Sequence, residues 1–160
     1  MDNLQYTPGQ VRQALGLPQE TLRHWRAVFS SLDGIRGQGP AYRPSQILAL
    51  AIIKRLVDDC GLPVGALKGV DAELFEVAQS RHWTVLEQGS LLVFPGRGAV
   101  EFIDGRAAVA GDQPFILLPL APVIAQLRRA LTGMEVLDDQ QSFAFRPVPM
   151  SQDPAKARRA

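Results

Sequence analysis

Residues 1–69 alternate between apolar stripes at helical spacing and short turn signals. Val11, Ala14 and Leu15 follow Thr7-Pro8, and Leu22, Trp25, Val28 and Phe29 follow Pro18. Thr7 suits the cap that satisfies the free N–H groups of a first turn, and Pro8 the first helical position, where its missing N–H is no loss. Gly16 can take the left-handed conformation that ends the first helix; Leu17 follows as a plug and Pro18 opens the second helix. The pattern predicts a helix, a short turn and a helix, with Val11, Leu15, Leu17, Leu22 and Trp25 inward. That apolar set can hold the two helices of a helix-turn-helix at a steep angle.

Three glycines and a proline between Asp33 and Pro40 mark a loop or tight hairpin. Pro44-Ser45 then opens a strongly apolar helix, Ile47 to Val57, which Gly61-Leu62 stops; Pro63 opens a short helix that ends near Gly69. Asp71 to His82 reads as a short amphipathic helix with Leu74, Phe75 and Ala78 inward. After Trp83 the period shifts towards strands at Thr84–Glu87, Leu91–Phe94 and Val100–Ile103, with Asp104-Gly105 as a type I′ hairpin dipeptide leading into Arg106–Val109. Phe115–Leu118 reads as a further strand and Pro122–Leu131 as a helix. From Thr132 polar residues and prolines dominate, so the last ten residues are expected to be disordered, with Phe143 and Phe145 docking on the core.

Composition narrows the class. The chain has 160 residues, 46% hydrophobic and 21% charged, with a formal net charge of +1. That is enough for one domain or two small ones. The apolar run Ile47–Ile53 falls far short of the roughly 18 residues a membrane span needs, and the N-terminus lacks a basic-then-apolar export signal. One cysteine excludes an internal disulfide framework and a multi-thiolate metal site, and two histidines, His24 and His82, argue against a histidine-rich metal centre. The expectation is a cytoplasmic, nucleoid-associated protein without a cofactor.

Charge is unevenly spread. Residues 1–69 carry eight Lys or Arg against five acids, whereas residues 70–131 carry five against seven. A basic first part beside a mildly acidic second part implies a division of labour. Catalytic constellations are lacking: Gly96-Arg97-Gly98 has no Lys-Ser/Thr ending of a phosphate loop, and no Ser-His-Asp or Cys-His arrangement stands out. Asp58-Asp59 and Asp138-Asp139 read as solvated pairs and Cys60 as a buried or half-buried structural cysteine. A non-enzyme is expected.

The second helix exposes Gln19, Glu20, Thr21, Arg23, His24 and Arg26, side chains that hydrogen-bond base edges or phosphates. Three runs stand in order: Tyr6-Thr7-Pro8-Gly9-Gln10-Val11, Leu15-Gly16-Leu17-Pro18 and Thr21-Leu22-Arg23-His24-Trp25. A glycine-rich turn, Tyr42-Arg43 and a long apolar helix come after them. Residues 4–69 thereby resemble the MerR-type winged helix-turn-helix domain of bacterial transcription regulators. The resemblance implies that Thr21 and Arg23 face DNA from a recognition helix and that Tyr42 and Arg43 contact phosphates at the wing. His24 and Arg26 stand where the family has an aromatic and an acid. Val70 to Trp83 is too short and irregular for the family's long coiled-coil dimerisation helix.

The expected fold class is α+β: a mostly α winged helix-turn-helix over residues 1–69, a small sheet-containing dimerisation or effector domain over 70–131, and a partly disordered tail over 132–160. The expected DNA-contacting set is Gln19, Thr21, Arg23, His24, Arg26, Arg36, Tyr42 and Arg43, with Trp25 in the core. Partners would be double-stranded DNA and a second copy of the chain, the recognition helix entering the major groove and the wing lying on the backbone. Three alternatives stand beside a regulator. One is a phage or plasmid architectural factor of the excisionase kind. Another is a protein-interaction adaptor reusing the winged-helix fold. The third is a ligand sensor whose pocket lies between the sheet and the Pro122–Leu131 helix, lined by Trp83, Phe94, Phe102 and Phe115.

Overall fold

A computed structural model describes residues 4–105 and 112–142, with the side chains of its last helix described through Met134. Its first helix, α1 (Pro8–Leu15), starts at a reciprocal cap. Thr7 Oγ1 accepts from the Gln10 N–H at 3.2 Å, and Gln10 Oε1 accepts from the Thr7 N–H at 2.8 Å. Gly16, at φ 62°, ends the helix in the left-handed region that glycine enters without a Cβ penalty. Leu17 is buried in the turn, and Pro18 precedes α2 (Gln19–Val28).

A single 3-10 turn, Ser30–Leu32, succeeds α2, and the glycine-rich segment after it is a loop rather than a strand hairpin. Its far end is pinned by an isolated antiparallel bridge. Tyr6 N–H donates to the Tyr42 carbonyl at 2.9 Å, and Tyr42 N–H donates to the Tyr6 carbonyl at 3.1 Å. α3 (Pro44–Asp58) is the central helix: every residue from Ile47 to Ile53 is buried, because neighbours cover it on several sides. The short α4 (Val64–Leu67) and α5 (Asp71–Ser80) complete this half, α5 packing along α3 through Leu74, Phe75 and Ala78.

α6 (Trp83–Leu86) leads into an antiparallel sheet of β1 (Gly89–Phe94), β2 (Ala99–Asp104) and β3 (Ile116–Pro119), in the order β2-β1-β3. Register sets Val93 opposite both Val100 and Ile116, and Leu91 opposite Phe102 and Leu118. These side chains line the face turned to the core. α7 (Ala121–Ser142) then returns across the helical half, packing on α1 and α3 and burying Val123, Ile124, Leu127, Leu131 and Met134. The fold is α+β, and one continuous apolar core joins residues 1–69 to the sheet and α7.

Four local expectations change. Thr84–Glu87 is not a strand but the helical turn α6, in which the Val85 and Leu86 N–H groups donate to the His82 carbonyl at 3.0 and 3.1 Å. The turn buries Leu86 alone and leaves Val85 at the surface, a pattern that strand alternation cannot give. β2 finds its described partner in β1, across the turn at Pro95–Gly98, whereas the Arg106–Val109 strand expected beyond Asp104-Gly105 lies outside the described residues. α7 continues past Leu131 to Ser142; Phe143, Phe145 and the last ten residues lie outside the described residues. Cys60 is exposed, because α3 ends at Asp58 and the chain turns back at Gly61, where the Leu62 N–H reaches the Leu56 carbonyl at 3.0 Å.

Candidate nucleic-acid interface

Helix α2 divides into two faces. Leu22 and Trp25 are each 2% exposed, and Phe29, just beyond the helix, meets Trp25 edge to face at 6.2 Å between ring centroids. Gln19, Glu20, Arg23 and His24 lie on the opposite, exposed face; Thr21 and Arg26 are half-buried at its margins. Arg23 Nη1 stands 3.7 Å from Glu20 Oε2, with both side chains 80% exposed. A pair that open to water holds little energy and leaves the guanidinium ready for another partner.

The loop and the start of α3 add two more exposed cations, Arg36 and Arg43. Arg43 is placed by its backbone, whose N–H donates to Gln46 Oε1 at 2.9 Å in the first turn of α3. Arg26 behaves differently from its neighbours on α2. Its Nη2 donates to the Ile35 carbonyl, tying the helix to the entrance of the loop, where Ile35 itself is buried.

Tyr42 requires a correction. It is expected to meet phosphate at the surface, yet its side chain is 0% exposed, and its hydroxyl has no hydrogen-bond partner among the described residues. The backbone bridge to Tyr6 draws the residue under the loop instead of onto it. Burial pushes its pKa above the ordinary tyrosine value, against a smaller opposing pull from the Arg26 charge. The exposed cationic set is therefore Arg23, Arg36 and Arg43, with Gln19 and His24 alongside on α2 and Thr21 at the margin.

One buried acid escapes the sequence patterns. Asp71 is 4% exposed, and its Oδ2 accepts from Ser30 Oγ at 3.2 Å and from the Ser31 N–H and Oγ at 3.4 Å each. It fixes the chain just after α2 to the first turn of α5. Its only signal along the chain is an acid at a helix start.

The aromatic residues expected to line a pocket between the sheet and α7 line no part of the cleft found among the helices. A cleft of about 130 Å³ lies between α1, α3 and α7, floored by Leu15, Ala51 and Leu127 and rimmed by Arg55, Asp59 and Gln126. Its rim is closed on itself, since Arg55 pairs with Asp59 at 2.8 Å and with Gln126 at 2.8 Å. Trp83 and Phe102 pack against the core, while Phe94 and Phe115 meet each other at 5.9 Å. Among the described residues no group of three or more His, Cys, Asp or Glu is placed to hold a metal ion, and no helix is long and apolar enough to cross a membrane.

No curated protein and no solved structure matches the chain at a significant level. A match over part of the chain comes from the family model described as MerR HTH family regulatory protein, which covers residues 6–74. That span takes in α1, α2, the glycine-rich loop, α3, α4 and the start of α5, so the chain carries a MerR-type helix-turn-helix DNA-binding segment.

Proposed function

We propose that this protein is a sequence-specific DNA-binding transcription regulator that acts as a homodimer. The α2 face of Gln19, Thr21, Arg23 and His24 enters the major groove, and the loop carrying Arg36, with Arg43 behind it, lies on the flanking phosphates. The observation that carries this reading is the division of α2. Leu22 and Trp25 hold the helix to the body while the polar side chains on the other side are open to solvent. An arginine fork matches the O6 and N7 edge of guanine, and histidine and glutamine supply further hydrogen bonds to base edges. Arg36 and Arg43 match the sequence-independent part of such contacts, which fixes register on the backbone.

A single copy offers few phosphate contacts, so tight binding calls for two. The α5 helix is taken up by the copy's own core, through Leu74, Phe75 and Ala78, and is only ten residues long. It is therefore no coiled-coil seam, and pairing falls to the part of the chain beyond it. Selection from a random duplex pool with the purified full chain tests the reading. The expected result is an enriched sequence with two half-sites about one helical turn apart, or a multiple of that, and an affinity that falls steeply with added salt. A pool with no enriched sequence overturns it.

A further inference from the structure

Arg26 stands among the residues expected to touch DNA, yet its guanidinium is already engaged. It donates to the Ile35 carbonyl at the entrance of the glycine-rich loop, and its charge acts on the buried Tyr42 hydroxyl at the exit. Between those two points runs a segment with two glycines, Gly37 at φ 77° and Gly39, and no strand to stiffen it. Such a segment holds its shape only through what fixes its ends. The entrance is further held by the Ile35 N–H on the Leu32 carbonyl at 3.0 Å. The exit is held by the Ala41 N–H on the Tyr6 carbonyl at 3.1 Å.

We infer that Arg26 is a positioning residue that sets the wing against the recognition helix, and that it acts on DNA through Arg36 rather than by touching the duplex. The next residue after its acceptor is Arg36, so a hydrogen bond that fixes the Ile35 peptide also fixes the backbone from which Arg36 projects. Arginine suits the task. Its planar fork carries several donors on a long stem and reaches a carbonyl from a helix one segment away.

Two measurements on the full chain decide this. In the first, amide hydrogen exchange at Ile35, Ala41 and Tyr42 is compared between the parent chain, Arg26→Gln and Arg26→Met. Two variants are used so that a folding failure in one does not end the test. Exchange at these amides is expected to rise roughly tenfold or more, the scale set by losing a charge-assisted hydrogen bond, with α3 amides unchanged. Unchanged exchange at the loop overturns the clamp. The second is a double-mutant cycle of Arg26→Gln with Arg36→Gln, read by binding to a duplex enriched from the random pool. The inference expects the Arg36 loss to shrink sharply when Arg26 is already gone, whereas two independent DNA contacts give losses that multiply. Only this second arm rests on the DNA-binding reading. If no duplex is enriched, that reading fails, and with it the Arg36 part of the inference, while the exchange arm still decides whether Arg26 holds the loop.

Discussion

The Asp71 carboxylate accepts a hydrogen bond from Ser30 Oγ at 3.2 Å across 41 residues of sequence. The same oxygen takes the Ser31 N–H and hydroxyl, so three donors just after α2 depend on one acid at the head of α5. Removing the acid takes the acceptor from all three donors, but Ser30 is exposed and Ser31 half-buried, so water replaces part of what is lost and the cost is about 1–2 kcal/mol. Asp71→Ala is therefore expected to lower the urea unfolding midpoint clearly, and Ser30→Ala to lower it by the smaller amount of one hydrogen bond, about 1 kcal/mol. An Asp71→Ala midpoint equal to the parent's would show that the acid does not join the two segments.

Tyr42 yields a prediction of opposite sign. Its hydroxyl is buried without a partner among the described residues, so Tyr42→Phe removes a polar group that gains nothing from folding and is expected to stabilise the chain by about 1 kcal/mol. The pH dependence comes from the raised pKa. The folded state favours the neutral hydroxyl, so this contribution is complete below the ordinary value of 10.0 and is lost as pH rises towards the higher folded value. The stability gap between Tyr42→Phe and the parent should widen above that pH. Urea unfolding of both proteins in neutral and strongly alkaline buffer measures it. Duplex affinity should be the same for both, and a loss on Tyr42→Phe would return the hydroxyl to the DNA.

Gly89 opens β1 where two neighbours press on it. A Cβ at this position would run into the Ile103 carbonyl oxygen and the Phe102 ring. The carbonyl is backbone in a paired strand and cannot swing aside, so Gly89→Ala is expected to cost about 1–3 kcal/mol through overpacking. Circular dichroism melts of the two proteins check it, and an unchanged melting temperature would mean that the β1–β2 ladder yields more easily than its register implies.

What the sequence disclosed depended on how far apart the cooperating residues stand. The Thr7 cap, the Gly16 turn and the Leu22–Trp25 stripe are local patterns, and each is found where the residue types and their spacing predict it, the Gln10 half of the cap being added by the structure. The family segment was legible for the same reason. Arg26 was half legible: it lies four residues after Leu22 and three before Phe29, on the inward side of the wheel, yet the residue types around it drew it into the contact set. Tyr42 was not legible, because its burial is set by Tyr6, which meets it only through the fold. Asp71 and Ser30 are hidden by the same distance. Thr84 and Val85 misled because β-branched residues favour strands, whereas the burial of Leu86 decides the matter here.

Glu20 gives the sharpest test of α2 as the proposed DNA-reading face. It lies 3.7 Å from Arg23 on a helix side that is otherwise cationic or neutral. Against a phosphate backbone its charge repels, whereas over a cytosine it can accept from the N4 amino group. Glu20→Gln should therefore tighten binding to mixed-sequence duplex several-fold, because one repulsive charge is removed. It should also weaken discrimination on the enriched sequence if Glu20 reads a base there. Arg23→Ala should lose roughly tenfold to a hundredfold on the enriched duplex where the fork reads guanine. Where it meets only phosphate, it should instead lower the salt slope by about one and weaken all duplexes alike. Anisotropy titrations over a range of salt separate these outcomes, and affinities untouched by both substitutions would place the duplex on some other surface than α2.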